Sequence, residues 1–274
     1  MPRSPEEQEL NAHFAEEYTR AQSPVMLDLE RAVCGCDYGG TSWTTRDEAD
    51  CIGALLQLGA GKALLEVGSG SGWPALYLAE KSGCDAILVD LPFEAIRLAA
   101  DRVAGESLSG AIGVAVGDGA ALPVQSASFD AVSHSDVLCC LARKRQVLQE
   151  CRRVIRPEAR MVFSVIYVAA GLSGTDHARA VESGPPHVES ECGYPELLEA
   201  TGWDVVERID VTAAYEQTGR RHIREVEARA DGLKALLGEA EYADMLIRRN
   251  RNVEAVAEGI VRRDLFVAKP AEAI

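Results

Sequence analysis

The stretch Ala63-Leu64-Leu65-Glu66-Val67-Gly68-Ser69-Gly70-Ser71-Gly72-Trp73 decides how the rest of the chain is read. Its apolar half, 63–67, predicts a strand buried on both faces, and 73–81 behind it predicts a helix. Between them stand Gly68, Gly70 and Gly72. Glycines at a strand-to-helix turn let the backbone bend sharply and let a ligand approach the main chain. The helix start beyond offers N–H groups that have no partner within the helix. The spacing narrows the ligand. Dinucleotide binding by Gly-x-Gly-x-x-Gly needs its third glycine at position 73, and a tryptophan there would crowd a pyrophosphate and the helix–strand packing.

Outward from the glycines, strands and helices alternate. Further strands are predicted at 86–89, 112–116, 129–133, 161–168, 205–211 and 265–269, with helices at 93–103, 143–155 and 194–201. Two charged helices, 218–237 and 239–262, precede the last strand; their alternating charges read as a solvated face, and their position over the strand ends makes them the expected acceptor lid. The fold class is α/β: a doubly wound, seven-stranded, mostly parallel sheet, with ligands at the carboxyl ends of the strands. Residues 1–60 form a helical cap with a lid loop carrying Tyr38 and Trp43; 61–212 form the core, 213–262 a helical insertion, and 263–274 the last strand and tail. Asp90 ends the second strand about twenty residues after the glycines, where a carboxylate can accept ribose hydroxyls. Asp118 ends the third, where it can accept from an adenine amino group.

The run Glu66-x-Gly68-x-Gly70-x-Gly72 resembles the first motif of the class I S-adenosylmethionine (SAM)-dependent methyltransferases, in particular the small-molecule branch that includes the ubiquinone- and menaquinone-biosynthesis type. Gly117-Asp118-Gly119-Ala120-Ala121-Leu122-Pro123 is similar to that family's Gly-Asp-Ala-x-x-Leu-Pro, and Ser128-Phe129-Asp130-Ala131-Val132 to its Ser-Phe-Asp-x-Val. Arg153 to Ala159 stands where the family has Arg-x-Leu-x-Pro-Gly-Gly, with Glu158-Ala159 in place of the glycine pair. The resemblance implies a Rossmann-like methyltransferase fold and a cofactor site of Glu66, Gly68, Ser69, Gly70, Gly72, Asp90, Leu91, Asp118, Gly119 and His134. It implies SAM as cofactor, S-adenosylhomocysteine as product, and in-line transfer of a methyl group to an O, N or C atom of a small molecule. His134 to Leu141 follows the fourth strand, with Cys140 where the family often has a histidine. His134 and His177 are the expected bases if the acceptor must lose a proton. Tyr18, Tyr38, Trp43 and Asp136 are expected around the acceptor.

Composition fits that reading. A chain of 274 residues, 47% hydrophobic, can bury a large α/β core, and its net charge of −15 argues against a nucleic-acid partner. The first ten residues are polar and acidic, and the longest apolar stretch, 161–170, is too short to span a bilayer, so neither a signal peptide nor a membrane partner is expected and a cytoplasmic location follows. The eight cysteines form no Cys-x-x-Cys pair, so no metal site is expected. Two other readings stand beside the enzyme: a protein that binds SAM or S-adenosylhomocysteine without catalysis, and an NAD-dependent oxidoreductase on the same fold.

Overall fold

The computed structural model describes residues 4–105 and 108–272. Three helices lead: α1 (Pro5–Ala21), α2 (Pro24–Cys34) and α3 (Arg46–Leu56). Local chemistry sets their starts. Ser4 and Glu7 form a reciprocal capping box before Pro5, and the Thr45 hydroxyl caps the Glu48 N–H. The alternating core follows as β1 (Ala63–Val67), α4 (Ala75–Ser82), β2 (Asp85–Asp90), α5 (Phe93–Gly105), β3 (Ile112–Val116), β4 (Phe129–Ser135), α6 (Lys144–Val154) and β5 (Ile155–Val168). Then come α7 (Gly174–Ser183), α8 (Tyr194–Glu199), β6 (Trp203–Asp210), the helices α9 (Thr212–Ala228), α10 (Ala230–Leu237) and α11 (Glu239–Ala257), and β7 (Val261–Pro270).

The seven strands make one sheet in the order β3-β2-β1-β4-β5-β7-β6. The five strands β1 to β5 pair in parallel, while β7 runs antiparallel to both β5 and β6. The fold is therefore the expected mostly parallel α/β sheet, with one antiparallel strand, β7, inserted between β5 and the edge strand β6. Both faces are covered. Alternate residues of β1 enter different clusters: Leu65 packs with Val132, Phe163 and Leu148, and Leu64 with Leu76, Leu88 and Val162. That two-sided burial is why 63–67 reads as an unbroken apolar run.

Three expectations needed adjustment. The fifth strand begins at Ile155, through Pro157, because Phe129 already pairs with Ile155 before the register shift that follows. Residues Gly174–Ser183, where the sequence predicts no element, form α7, capped by the Ser173 hydroxyl on the Asp176 N–H. The insertion is three helices, α9 beginning directly after β6 and α10 broken from α11 at Gly238, whose φ is 85°.

Arg263 of β7 is completely buried. Its guanidinium donates two bonds to Glu48 of α3, both 2.7 Å, and further bonds to both carboxylate oxygens of Asp136, just beyond β4, at 2.9–3.1 Å. A third partner, Ser164 Oγ of β5, is 3.0 Å away. Replacing Arg263 by methionine leaves two buried carboxylates facing one another. We expect Arg263→Met to lower the unfolding free energy by about 3–5 kcal/mol, measured by urea denaturation; an unchanged midpoint would show that the cluster contributes no net stability.

Candidate cofactor and acceptor site

The turn after β1 depends on backbone angles that only glycine takes freely. Gly68 and Gly70 have φ of 69° and 55°. A Cβ at Gly68 would collide with Val137 Cγ2, and one at Gly70 would lie 2.8 Å from the Tyr18 hydroxyl. The next strand fastens the turn: the N–H groups of Gly68 and Ser69 donate to Val89 O at 2.8 and 3.2 Å, and Gly70 N–H donates to Asp90 Oδ2 at 2.6 Å. The Leu91 N–H donates to Asp90 Oδ1 at 2.7 Å. Burial pushes the Asp90 carboxyl up to about 6, against the two N–H donors that favour its ionised form.

Glu66 lies beneath this turn, 1% exposed. Ser133 Oγ donates to its Oε2, while Oε1 has no partner. Burial pushes its carboxyl up to about 8, so it holds its proton at neutral pH. Asp118, beyond β3, accepts from the Ala120 N–H at 2.9 Å and from Arg143 at 2.7 Å. Arg143 also donates to Glu7 at 2.7 Å, and this ties α1 across the strand ends.

A cavity of about 600 Å³ opens between the strand ends, the cap and the insertion. Among the expected residues, Gly68, Ser69, Gly70, Asp90, Leu91, Asp118, Gly119, Tyr18, Trp43 and Asp136 line it together. Glu66 and Gly72 do not; they support the turn from below and behind. Tyr38 does not line the cavity either. Its ring packs 5.3 Å from Trp73, with the Arg102 guanidinium 4.5 Å from its centre, so it anchors the lid loop to the core.

The two expected bases are corrected. His134 is fully buried and stacked 4.6 Å from Phe163, with neither ring nitrogen partnered. Burial depresses its pKa to about 3. It occupies an interior position of β4, beside its register partner Phe163, and only Ser135, Asp136 and Val137 beyond it reach the cavity. His177 sits on α7, its side chain 48% exposed and 3.4 Å from Glu189, away from the cavity. The histidines that do line the cavity are His13, His187 and His222. Burial lowers the pKa of His187, and that of His222 to about 3.

The far end of the cavity is built by the insertion. Trp43 meets Tyr215 and His222 edge-on at 5.9 and 5.5 Å. The Arg249 guanidinium lies 3.7 Å from the centre of the Trp43 ring. The Tyr215 hydroxyl donates to Asn252 Oδ1 at 2.9 Å. The charges of α9 and α11 are therefore not only a solvated face; one side of these helices is cavity wall, and which of their residues face inward depends on tertiary packing that helical spacing alone does not reveal.

These residues suit a nucleoside-bearing cofactor with a polar tail. Glycines admit it to the main chain at 68 and 70, the hydroxyls of Ser69, Ser71 and Ser135 are buried without partners, and the strand-end carboxylates of Asp90 and Asp118 lie on the cavity wall.

The stretch with the first parallel strand, the glycine turn and the acids ending the next two strands, residues 65–163, matches a family described as a methyltransferase domain. Over part of its length the chain resembles small-molecule methyltransferases. It is 32% identical over 170 residues to the methyltransferase GfsG of Streptomyces halstedii, covering 60% of this chain and 60% of that protein. It is 22% identical over 224 residues to phosphoethanolamine N-methyltransferase of Triticum aestivum, covering 82% of this chain but 43% of the relative. The chain thus spans about half the length of these relatives. Phosphoethanolamine N-methyltransferase 2 of Haemonchus contortus, solved with phosphomonomethylethanolamine and S-adenosylhomocysteine, shares the fold at a TM-score of 0.77 and 17% identity, over 94% of this chain and 61% of that one.

Glu66 gives this site a pH signature. Its carboxyl holds a proton in the native state that the unfolded chain releases, so stability is greatest below the ordinary carboxylate pKa and is lost as pH rises through about 8. The slope from this group approaches roughly 1.4 kcal/mol per pH unit within that window. Glu66→Gln is expected to flatten the wild-type decline between mildly acidic and mildly alkaline pH in urea titrations. Parallel profiles for the two proteins would show that Glu66 is ionised in the fold.

Proposed function

We propose that this protein is a SAM-dependent methyltransferase acting on a small molecule. The observation that carries the reading is the shared cavity of the glycine turn, Asp90 and Asp118, continuous with an aromatic chamber formed by the lid loop and the insertion. When bound, SAM supplies a methyl group already activated by its sulfonium. The chain's own task is placement. Asp90 is positioned to accept ribose hydroxyls, Asp118 and the neighbouring Gly119 to border the adenine, and the turn at 68–70 to receive the amino-acid tail. Tyr18, Trp43 and α1 close the cavity from above and exclude water. Alignment of acceptor and methyl can supply roughly 7–11 kcal/mol of rate enhancement at best. No helix among the described residues is long and apolar enough to cross a membrane.

Calorimetric titration tests the reading: SAM should bind in the micromolar range and NAD should give no heat. Asp90→Ala should weaken SAM binding by about tenfold or more while leaving the protein folded. Because ionised Asp90 is the better acceptor, wild-type affinity should rise with pH through about 6, and the variant should lose that dependence. Equal affinity for SAM in both proteins would remove Asp90 from the site. Release of S-adenosylhomocysteine with a candidate acceptor separates turnover from binding alone.

A further inference from the structure

Arg249 lines the acceptor end of the cavity, and no carboxylate pairs with it among the described residues. Its Nε is buried with no partner at all. The guanidinium's polar partners are neutral: Nη1 reaches Asn252 Oδ1 at 3.3 Å, an oxygen already taken by the Tyr215 hydroxyl at 2.9 Å, and that hydroxyl also lies within hydrogen-bonding reach of Arg249. Beneath the guanidinium is the face of Trp43. Arg248, next along α11, also lines the cavity and has no ion pair among the described residues.

The carboxylates that share this cavity are committed elsewhere. Asp136, together with Glu48 behind it, is spent on Arg263, and Glu17 and Glu241 on Arg20. Glu30 holds the Gly39 and Gly40 N–H groups at 2.6 and 3.2 Å. Glu7 and Asp118 are bound to Arg143 at the opposite end. A guanidinium withdrawn from water without an anion is costly, and its planar fork matches a carboxylate or phosphate in two-point contact. The walls beside it, Trp43, Tyr215 and Met245, suit an apolar or planar body.

We propose that the acceptor carries an oxyanion, a carboxylate or a phosphate, and that Arg249 receives it, with Arg248 adding charge nearer the surface. The proposal rests on the reading of this chamber as the methyl-acceptor pocket. It fixes the orientation of the acceptor: the anionic end lies against α11, and the atom to be methylated points back toward the glycine turn.

The test is calorimetric titration of the protein, with and without saturating S-adenosylhomocysteine, using benzoate, phenyl phosphate and the neutral benzyl alcohol as probes. The two anions are expected to bind at least roughly tenfold more tightly than the alcohol. Arg249→Gln should abolish that preference and leave S-adenosylhomocysteine affinity unchanged, and Arg249→Lys should restore part of it. Whichever of benzoate and phenyl phosphate binds more tightly identifies the oxyanion. Equal binding of alcohol and anions would overturn the proposal. So would a variant that loses S-adenosylhomocysteine affinity, because Arg249 would then hold the cofactor's own carboxylate. Arg249-dependent anion binding in a protein that never binds S-adenosylhomocysteine would uphold the anion site and overturn the methyltransferase reading alone.

Discussion

The buried guanidinium of Arg263 is the junction on which the architecture depends. It comes from the antiparallel strand β7, yet its partners belong to the cap, through Glu48, and to the wall of the cavity, through Asp136. An ion taken fully out of water is tolerated only where opposite charge and hydrogen bonds compensate it, and here all three nitrogens of the fork reach a carboxylate. The arrangement also fixes Asp136, whose φ of 54° is unusual for a residue with a side chain, at the point where β4 leaves the sheet. Antiparallel strand, cap and cavity wall are thereby set relative to one another by a single side chain.

A second constraint acts at the opposite end. The carboxylate of Asp90 closes the glycine turn before any ligand arrives, because it accepts the Gly70 N–H while its strand supplies Val89 O to Gly68 and Ser69. The loop is therefore preorganised from the neighbouring strand. Ligand binding does not have to recruit it, and the ordering cost is already met in folding.

Much of this was legible in the sequence, and the gaps have physical causes. The run 63–67 announced its strand because both faces are buried, and the third strand was placed at its observed ends because glycines follow it. The motif acids at 90 and 118 arrived at the cavity for a topological reason: parallel strands put their carboxyl ends on one side. His134 misled because motif position says which strand a residue is on, while pleat alternation decides which way it faces. His222, Arg249 and Arg263 stayed hidden for a different reason. A charge in an amphipathic helix or terminal strand looks solvated until the element opposite it is known. Here the opposite elements, the lid loop and β4, lie more than a hundred residues away in sequence.

The ion pairs at α1 carry a consequence for traffic through the cleft. Arg143 holds Glu7 of the helix and Asp118 of the core at once, all three side chains being between one-fifth and one-third exposed. Such pairs are screened by dissolved salt over a Debye length of about 8–10 Å. The cap is thus fastened at this end by a contact whose strength the medium sets, whereas its tie through Glu48 to the fully buried Arg263 is far less open to screening. The two ends of the cap therefore answer differently to the same rise in salt, the outer tie loosening while the inner one keeps its strength.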